Sequence, residues 1–329
     1  MPSPTKLARS TALASLAILS SLPQATSVAN KAISRREVTV SANEWDDILK
    51  GKEGAQCAEL AVIFARGTFD TGNLGVWVGG PFYDALHSKA AEEGIRVAVQ
   101  GVSKQDYPAD LPGYILEGGS NSCAAAMGRD IQKYHERCPD AKIAAWGWSQ
   151  GSLCARKSLS HLGPSPLLAL GLFGDPLSAW DPSAWPPPRP STRVLSYCST
   201  APPDPLCRHM RAEAPSDMAG YTTWVLHAWS RTYDARLSRA QIHAMWGLLT
   251  VLTAEAAKLA RQFAADVVRG RFRRWMLTPE HFWYGLDGTV ERAAAELVEV
   301  YRDSGEEGEV EVEVEVYGVR VRSFVMLGW

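Results

Sequence analysis

The 329-residue chain has no surplus of either charge: 34 Lys and Arg stand against 36 Asp and Glu, a formal net charge of −2. No basic stripe stands out, which argues against a nucleic-acid partner held through phosphates. No apolar stretch approaches the roughly 20 residues that a membrane-spanning helix needs. Neither Cys-x-x-Cys nor His-Glu-x-x-His spacing occurs, so no metal is expected. The glycine-rich VGG at 78–80 lacks the lysine context of a phosphate loop, and no cofactor is expected. There is no Asn-x-Ser/Thr acceptor, so N-glycosylation is not expected.

What is present is a chain that should pack. Hydrophobic residues make up 46% and charged residues 21%, the balance of a folded core rather than of disorder. Lys6 and Arg9 precede a short apolar run, TALASLAILSSL at 11–22, and then small residues with cleavage expected after Ala25 or Ala29. This reads as a secretory signal peptide over 1–29. A secreted protein without a membrane span follows, here taken as a monomer. Secretion makes disulfides the natural reading of Cys57, Cys123, Cys138, Cys154, Cys198 and Cys207, although six cysteines leave 15 full pairings open. Cys198 and Cys207 are close enough to staple one loop. Cys138 and Cys154 should sit at opposite ends of an intervening strand and are not expected to pair with each other.

From Cys57 onward, apolar runs alternate with helix-like segments. Strands are expected at 59–67, 95–102, 141–148, 167–174 and 192–198, with helices at 81–94, 121–139 and 149–163. This alternation predicts an α/β fold, a three-layer αβα sandwich around a mainly parallel five-stranded sheet. The prolines of 175–190 read as a rigid loop, whose Trp180 and Trp185 are candidates for lining a cleft. Later, 238–270 reads as one or two helices, 274–288 as aromatic-rich and aperiodic, and 290–301 as a helix. EVEVEVEV at 309–316 has strand alternation, and a turn at 317–318 would set Glu315 opposite Arg320 and Glu313 opposite Arg322.

Chemistry concentrates in WGWSQGS, 146–152. Its Gly147-Trp148-Ser149-Gln150-Gly151 lies between an expected strand and an expected helix, the context of a nucleophile elbow. Side chains at the two glycines would clash with the neighbouring strand and helix, and the new helix aims its first amides at any oxyanion. Ser149 is the candidate nucleophile. A serine needs a base to take its proton, and in this architecture acid and histidine follow in that order. The acid candidates are Asp175, Asp181, Asp204 and Asp217. The histidine candidates are His209, His227, His243 and His281. Asp175, before a proline, also reads as a turn aspartate.

Several segments together resemble the cutinase and acetylxylan esterase family of secreted fungal serine esterases. They are CAELAVIFARGT (57–68), QGVSKQDYPADLPGY (100–114), CPDAKIAAWGWSQGS (138–152), FGDP (173–176) and SYCSTAPPDPLC (196–207). The resemblance implies a small α/β-hydrolase fold without a lid. Ser149 matches the nucleophile of the family's G-Y-S-Q-G, with Trp148 in place of the tyrosine. The Gln150 amide and the Thr68 amide and hydroxyl match the oxyanion hole. Asp204, just before a disulfide cysteine, matches the acid. Cys57–Cys123 and Cys198–Cys207 match the family's two disulfides. The family's histidine lies in an H-x-x-Y motif soon after that cysteine pair, and His227, in VLHAWSRTY, is taken as its match.

On this reading 30–55 is an N-terminal extension, 56–270 the esterase domain with a possible insertion at 235–257, and 271–329 a C-terminal extension. The implied activity is hydrolysis of carboxylic esters through a Ser-His-Asp triad and an acyl-enzyme. The partner is an ester polymer or small ester, either cutin or acetylated xylan, and the apolar residues around 100–114 favour cutin. Because His227 must be neutral to act, activity should rise through neutral pH. The rival is a non-catalytic protein on the same fold that binds plant polymers.

Overall fold

The computed structural model describes residues 38–180, 185–200, 203–207, 237–306, 310–316 and 319–325. The signal segment, Asp181, His209, Asp217 and His227 lie outside them. Five strands form one parallel sheet in the order β2-β1-β3-β4-β5. They are β1 Leu60–Ala65, β2 Val97–Gly101, β3 Lys142–Trp148, β4 Ala169–Phe173 and β5 Arg193–Tyr197. Each lies inside the segment that apolar periodicity marks out.

β1 shows how the layers arise. All six of its residues are buried, as a strand covered on both faces requires. Leu60, Val62 and Phe64 join one core cluster, and Ala61, Ile63 and Ala65 the other. The first face is covered by α2 (Gly80–Glu92) and the second by α1 (Glu44–Leu49), α4 (Asn121–Arg137) and α5 (Gln150–Ser158). The short helix α3 (Leu111–Ile115) precedes α4, and Asp110 caps it by accepting from the Gly113 amide at 2.9 Å.

The two segments expected as extensions both enter this body. Trp45 is buried, stacks on Tyr134 with ring centroids 4.3 Å apart, and donates from Nε1 to the Ala98 carbonyl at 3.0 Å. At the other end of the chain, α8 (Thr289–Glu306) lies against α2. Its Val290, Ala293, Ala294, Leu297 and Val298 are buried in the first core cluster. That spacing is one apolar stripe of a helix. Beyond it, β6 (Val310–Val316) and β7 (Val319–Val325) pair antiparallel, with Glu313 opposite Arg322 and Glu315 opposite Arg320. This is the register that a two-residue turn at 317–318 implies.

Two further helices, α6 (Arg239–Lys258) and α7 (Ala260–Val268), follow, and α6 lies against residues 75–79 and α3. Near the start of α6, Gln241 Nε2 donates to the Val76 carbonyl at 3.4 Å, and Leu248 packs in the cluster of Trp77 and Phe282. Leu259, between the two helices, packs against the cluster of Leu111, Tyr114, Ile115 and Leu153. The long chain between Cys207 and Pro279 supplies these helices. None of the described helices is long and apolar enough to cross a membrane.

All six cysteines are bridged: Cys57–Cys138, Cys123–Cys154 and Cys198–Cys207. The expected Cys57–Cys123 pair is therefore corrected. Cys57 precedes β1 and Cys138 closes α4, at the same end of the sheet. Cys123 lies in the first turn of α4, roughly 22 Å along the helix from Cys138 at 1.5 Å per residue. There it meets Cys154 of α5. Cys138 and Cys154 do not pair with each other, as expected from their places at opposite ends of β3.

Candidate active site

In open α/β sheets the functional crevice lies at the C-terminal strand ends where the strand order reverses. Here that point is the β1–β3 junction. Thr68 follows β1 and Ser149 follows β3. Ser149 has φ 59° and ψ −122°. A non-glycine residue at positive φ costs of order 1–3 kcal/mol, so the surroundings must hold it there. Its amide donates to the Phe173 carbonyl at 3.0 Å. A Cβ at Gly147 would lie 2.1 Å from the Gly151 carbonyl oxygen, and one at Gly151 would lie 1.9 Å from that of Ala65. Both glycines are thus required by close approach, as the elbow reading expected. The Ser149 residue is 6% exposed.

Gln150 is the first residue of α5. The first amides of a helix lack intrahelical partners, and the dipole favours negative charge there. Thr68 Oγ1 donates to Gln150 Oε1 at 3.0 Å, so the two expected oxyanion-hole residues touch. Gln150 Nε2 is buried with no hydrogen-bond partner among the described residues.

Asp204 is fully buried between Cys198 and Cys207. It contacts His281, whose Nδ1 lies 2.7 Å from Asp204 Oδ2. The Tyr284 hydroxyl donates to the same oxygen at 2.6 Å, and the Leu206 amide donates to Oδ1 at 2.9 Å. Burial pushes the Asp204 carboxyl upward, but the adjacent His281 charge and these hydrogen bonds bring it below its ordinary value. An ionised carboxylate only accepts, so His281 Nδ1 is the donor and Nε2 is the ring nitrogen turned away from Asp204. That Nε2 is buried and has no hydrogen-bond partner among the described residues. Burial, then the Asp204 charge and hydrogen bond, push the Tyr284 phenol well above its ordinary value, so it remains a donor.

The side chain next to Ser149 also holds His281. Trp148 Nε1 donates to the His281 carbonyl at 2.9 Å, and the two rings are 5.4 Å apart. Gly174 follows the residue that accepts from the Ser149 amide. It has φ +52°, and a Cβ there would come within 2.7 Å of His281 Cε1.

The expected match at His227 lies outside the described residues. The histidine joined to Asp204 is another of the four candidates. Its signal was present in the sequence: His281-Phe282-Trp283-Tyr284 is an intact H-x-x-Y. His243 is exposed on α6. Asp175 accepts from Arg156 Nε at 2.7 Å and from the Leu177 amide at 3.0 Å, so it caps a turn and forms an ion pair. Trp180 and Trp185 lie 6.4 Å apart beside Tyr114, against the cluster that includes Leu153 of α5.

Comparison with known proteins finds relatives of the segment that carries the elbow. The chain matches the Cutinase family over residues 56–227, more than half of its length. It is 34% identical over 155 residues to Cutinase 4 of Emericella nidulans, covering 47% of this chain and 62% of the relative. It is 39% identical over 127 residues to a cutinase of Botryotinia fuckeliana, covering 38% of this chain and 60% of the relative. It is 32% identical over 162 residues to the carboxylesterase Culp1 of Mycobacterium tuberculosis, covering 46% of this chain and 69% of the relative. The matched segments thus span about three fifths of the two fungal relatives. The match ends before His281. With the elbow, its sheet and the matched segment in agreement, the chain belongs to the Cutinase family.

Proposed function

We propose that the protein is a secreted serine esterase that cleaves carboxylic esters through Ser149, His281 and Asp204. The observation that carries this is the buried Asp204–His281 pair at 2.7 Å, held by Trp148 beside the strained Ser149. Ser149 Oγ attacks the ester carbonyl and its proton passes to His281 Nε2. Asp204 keeps the imidazole in the required tautomer and stabilises the imidazolium. The amides of Thr68 and Gln150 receive the oxyanion, and one such donor is worth about 10²–10³ in kcat. As the tetrahedral intermediate collapses, His281 returns the proton to the departing alcohol. Water, deprotonated by the same histidine, then cleaves the acyl-enzyme.

The relatives' names point to cutin polyester as the substrate class. The apolar cluster of Leu111, Tyr114, Ile115 and Leu153, with Trp180 against it, favours acyl chains longer than acetate. Three disulfides fit an oxidising compartment and hence secretion. The esterase domain on this reading runs on from 270 to the end of α8. The test is hydrolysis of p-nitrophenyl esters from acetate to octanoate. Turnover that is best at butyrate or longer and lost in Ser149→Ala supports the reading. Activity on acetate alone would contradict the cutin assignment, and activity that survives Ser149→Ala would contradict the nucleophile.

A further inference from the structure

We propose that Arg66 is a positioning residue for the oxyanion hole, clamping the loop that carries Thr68 onto the 107–110 loop and the nucleophile elbow. The inference rests on the esterase reading above. Arg66 is 3% exposed. Its guanidinium bridges two loops: Nε donates to the Asp70 carbonyl at 3.1 Å, and Nη2 to the Tyr107 carbonyl at 2.8 Å. Tyr107, fully buried, answers by donating its hydroxyl to the Arg66 carbonyl at 2.9 Å. The guanidinium carbon also lies 5.0 Å from the Tyr107 ring centroid, within cation–π range.

Thr68 lies between the two ends of this clamp. On its far side, the Phe69 amide donates to the Ala109 carbonyl at 2.7 Å. Phe69 (φ 61°) and Ala109 (φ 53°) are, with Ser149, the positive-φ non-glycine residues among those described. Such backbone persists only where the surroundings over-determine it, and Arg66 supplies that constraint from inside. The clamp also reaches the elbow. A Cβ at Gly151 would come 2.7 Å from the Arg66 carbonyl oxygen, so α5 passes directly against the clamped strand end. Oxyanion-hole donors act by being in place before charge develops, and a misplacement of about 1 Å can cost ~10² in rate. A planar fork with two aligned donors meets this task in a way that a single ammonium cannot.

The experiment measures kcat and KM on p-nitrophenyl butyrate for wild type, Arg66→Lys, Arg66→Met and Tyr107→Phe, each checked for folding by thermal melting. Tyr107→Phe removes one hydroxyl and keeps the packing, so it reports even if an Arg66 variant fails to fold. Expected are kcat losses of about 10²-fold for Arg66→Met and about 3–10-fold for Tyr107→Phe, with KM within about threefold. Arg66→Lys should fall between them. Folded variants with wild-type kcat, or with loss confined to KM, overturn the inference alone. A folded but inactive wild type overturns the esterase reading and this inference with it.

Discussion

Two buried carboxylates near the crevice, Asp204 and Asp70, are driven in opposite directions. Asp204 is held below its ordinary value, against the pull of burial, by His281 and the hydroxyl and amide donors. Its contribution to stability is present above the unfolded value and is lost as pH falls through the folded one. Tyr284→Phe removes one of those donors. Activity should fall about 3–10-fold, and urea unfolding at pH 7 should show a loss of roughly 1.5–3 kcal/mol, the worth of a hydrogen bond to a charged group. No change in either would mean that the phenol is a bystander. Asp70 carries the opposite sign. Burial, outweighing the amides that donate to it and the charge of Arg66, pushes it up to about 7. The native state therefore keeps a proton that the unfolded chain gives up near pH 4, and stability falls as pH rises from about 4 to 7. Asp70→Asn should gain stability relative to wild type across that window, on the order of 2–4 kcal/mol. A pH-independent difference between the two proteins would contradict this assignment.

Among the elements, those legible in the sequence are the ones whose own period carries their structure. β1 to β4 read as apolar runs because both faces of the sheet are covered there, and the elbow reads because its glycines bracket Ser149 in sequence, Gly147 being pressed against Gly151 and Gly151 against the end of β1. The histidine was harder to place. His281 is 77 residues from Asp204, whereas the family resemblance implies a histidine soon after Cys207. What identifies His281 is a contact across the fold, together with Tyr284 three residues on. α8 was legible as a helix but not as part of the core, because a stripe of apolar residues does not say which surface it covers. Leu297 is fully buried on α8 against the sheet. Leu297→Ala should therefore cost about 2–5 kcal/mol in urea unfolding. A loss within about 0.5 kcal/mol would mean that the helix is an appendage.

At the scale of the molecule, one disulfide ties the start of β1 to the end of α4, one joins α4 to α5, and one closes the loop that carries Asp204. Their pairing was only partly legible. Cys198–Cys207 follows from proximity, but the partners of Cys57 and Cys123 depend on which ends of α4, α5 and β1 come together. The Cys57–Cys138 bridge closes a separation of 81 residues. By chain entropy its loss should cost about 4–5 kcal/mol. Cys57→Ser/Cys138→Ser should melt well below wild type, and peptide mapping of the native protein should find Cys57 joined to Cys138 and Cys123 to Cys154. Recovery of a Cys57–Cys123 peptide would contradict this topology.

The central claim is that a serine at the β3 elbow is activated by the histidine that Asp204 holds. The most direct measurement is mass spectrometry of the protein after brief exposure to a fluorophosphonate, for wild type, His281→Ala and His227→Ala. The account predicts an adduct on Ser149 in wild type, retained in His227→Ala and lost in His281→Ala. An adduct that survives in His281→Ala and disappears in His227→Ala would contradict it, and no adduct on folded wild type would favour a binding protein on the same fold.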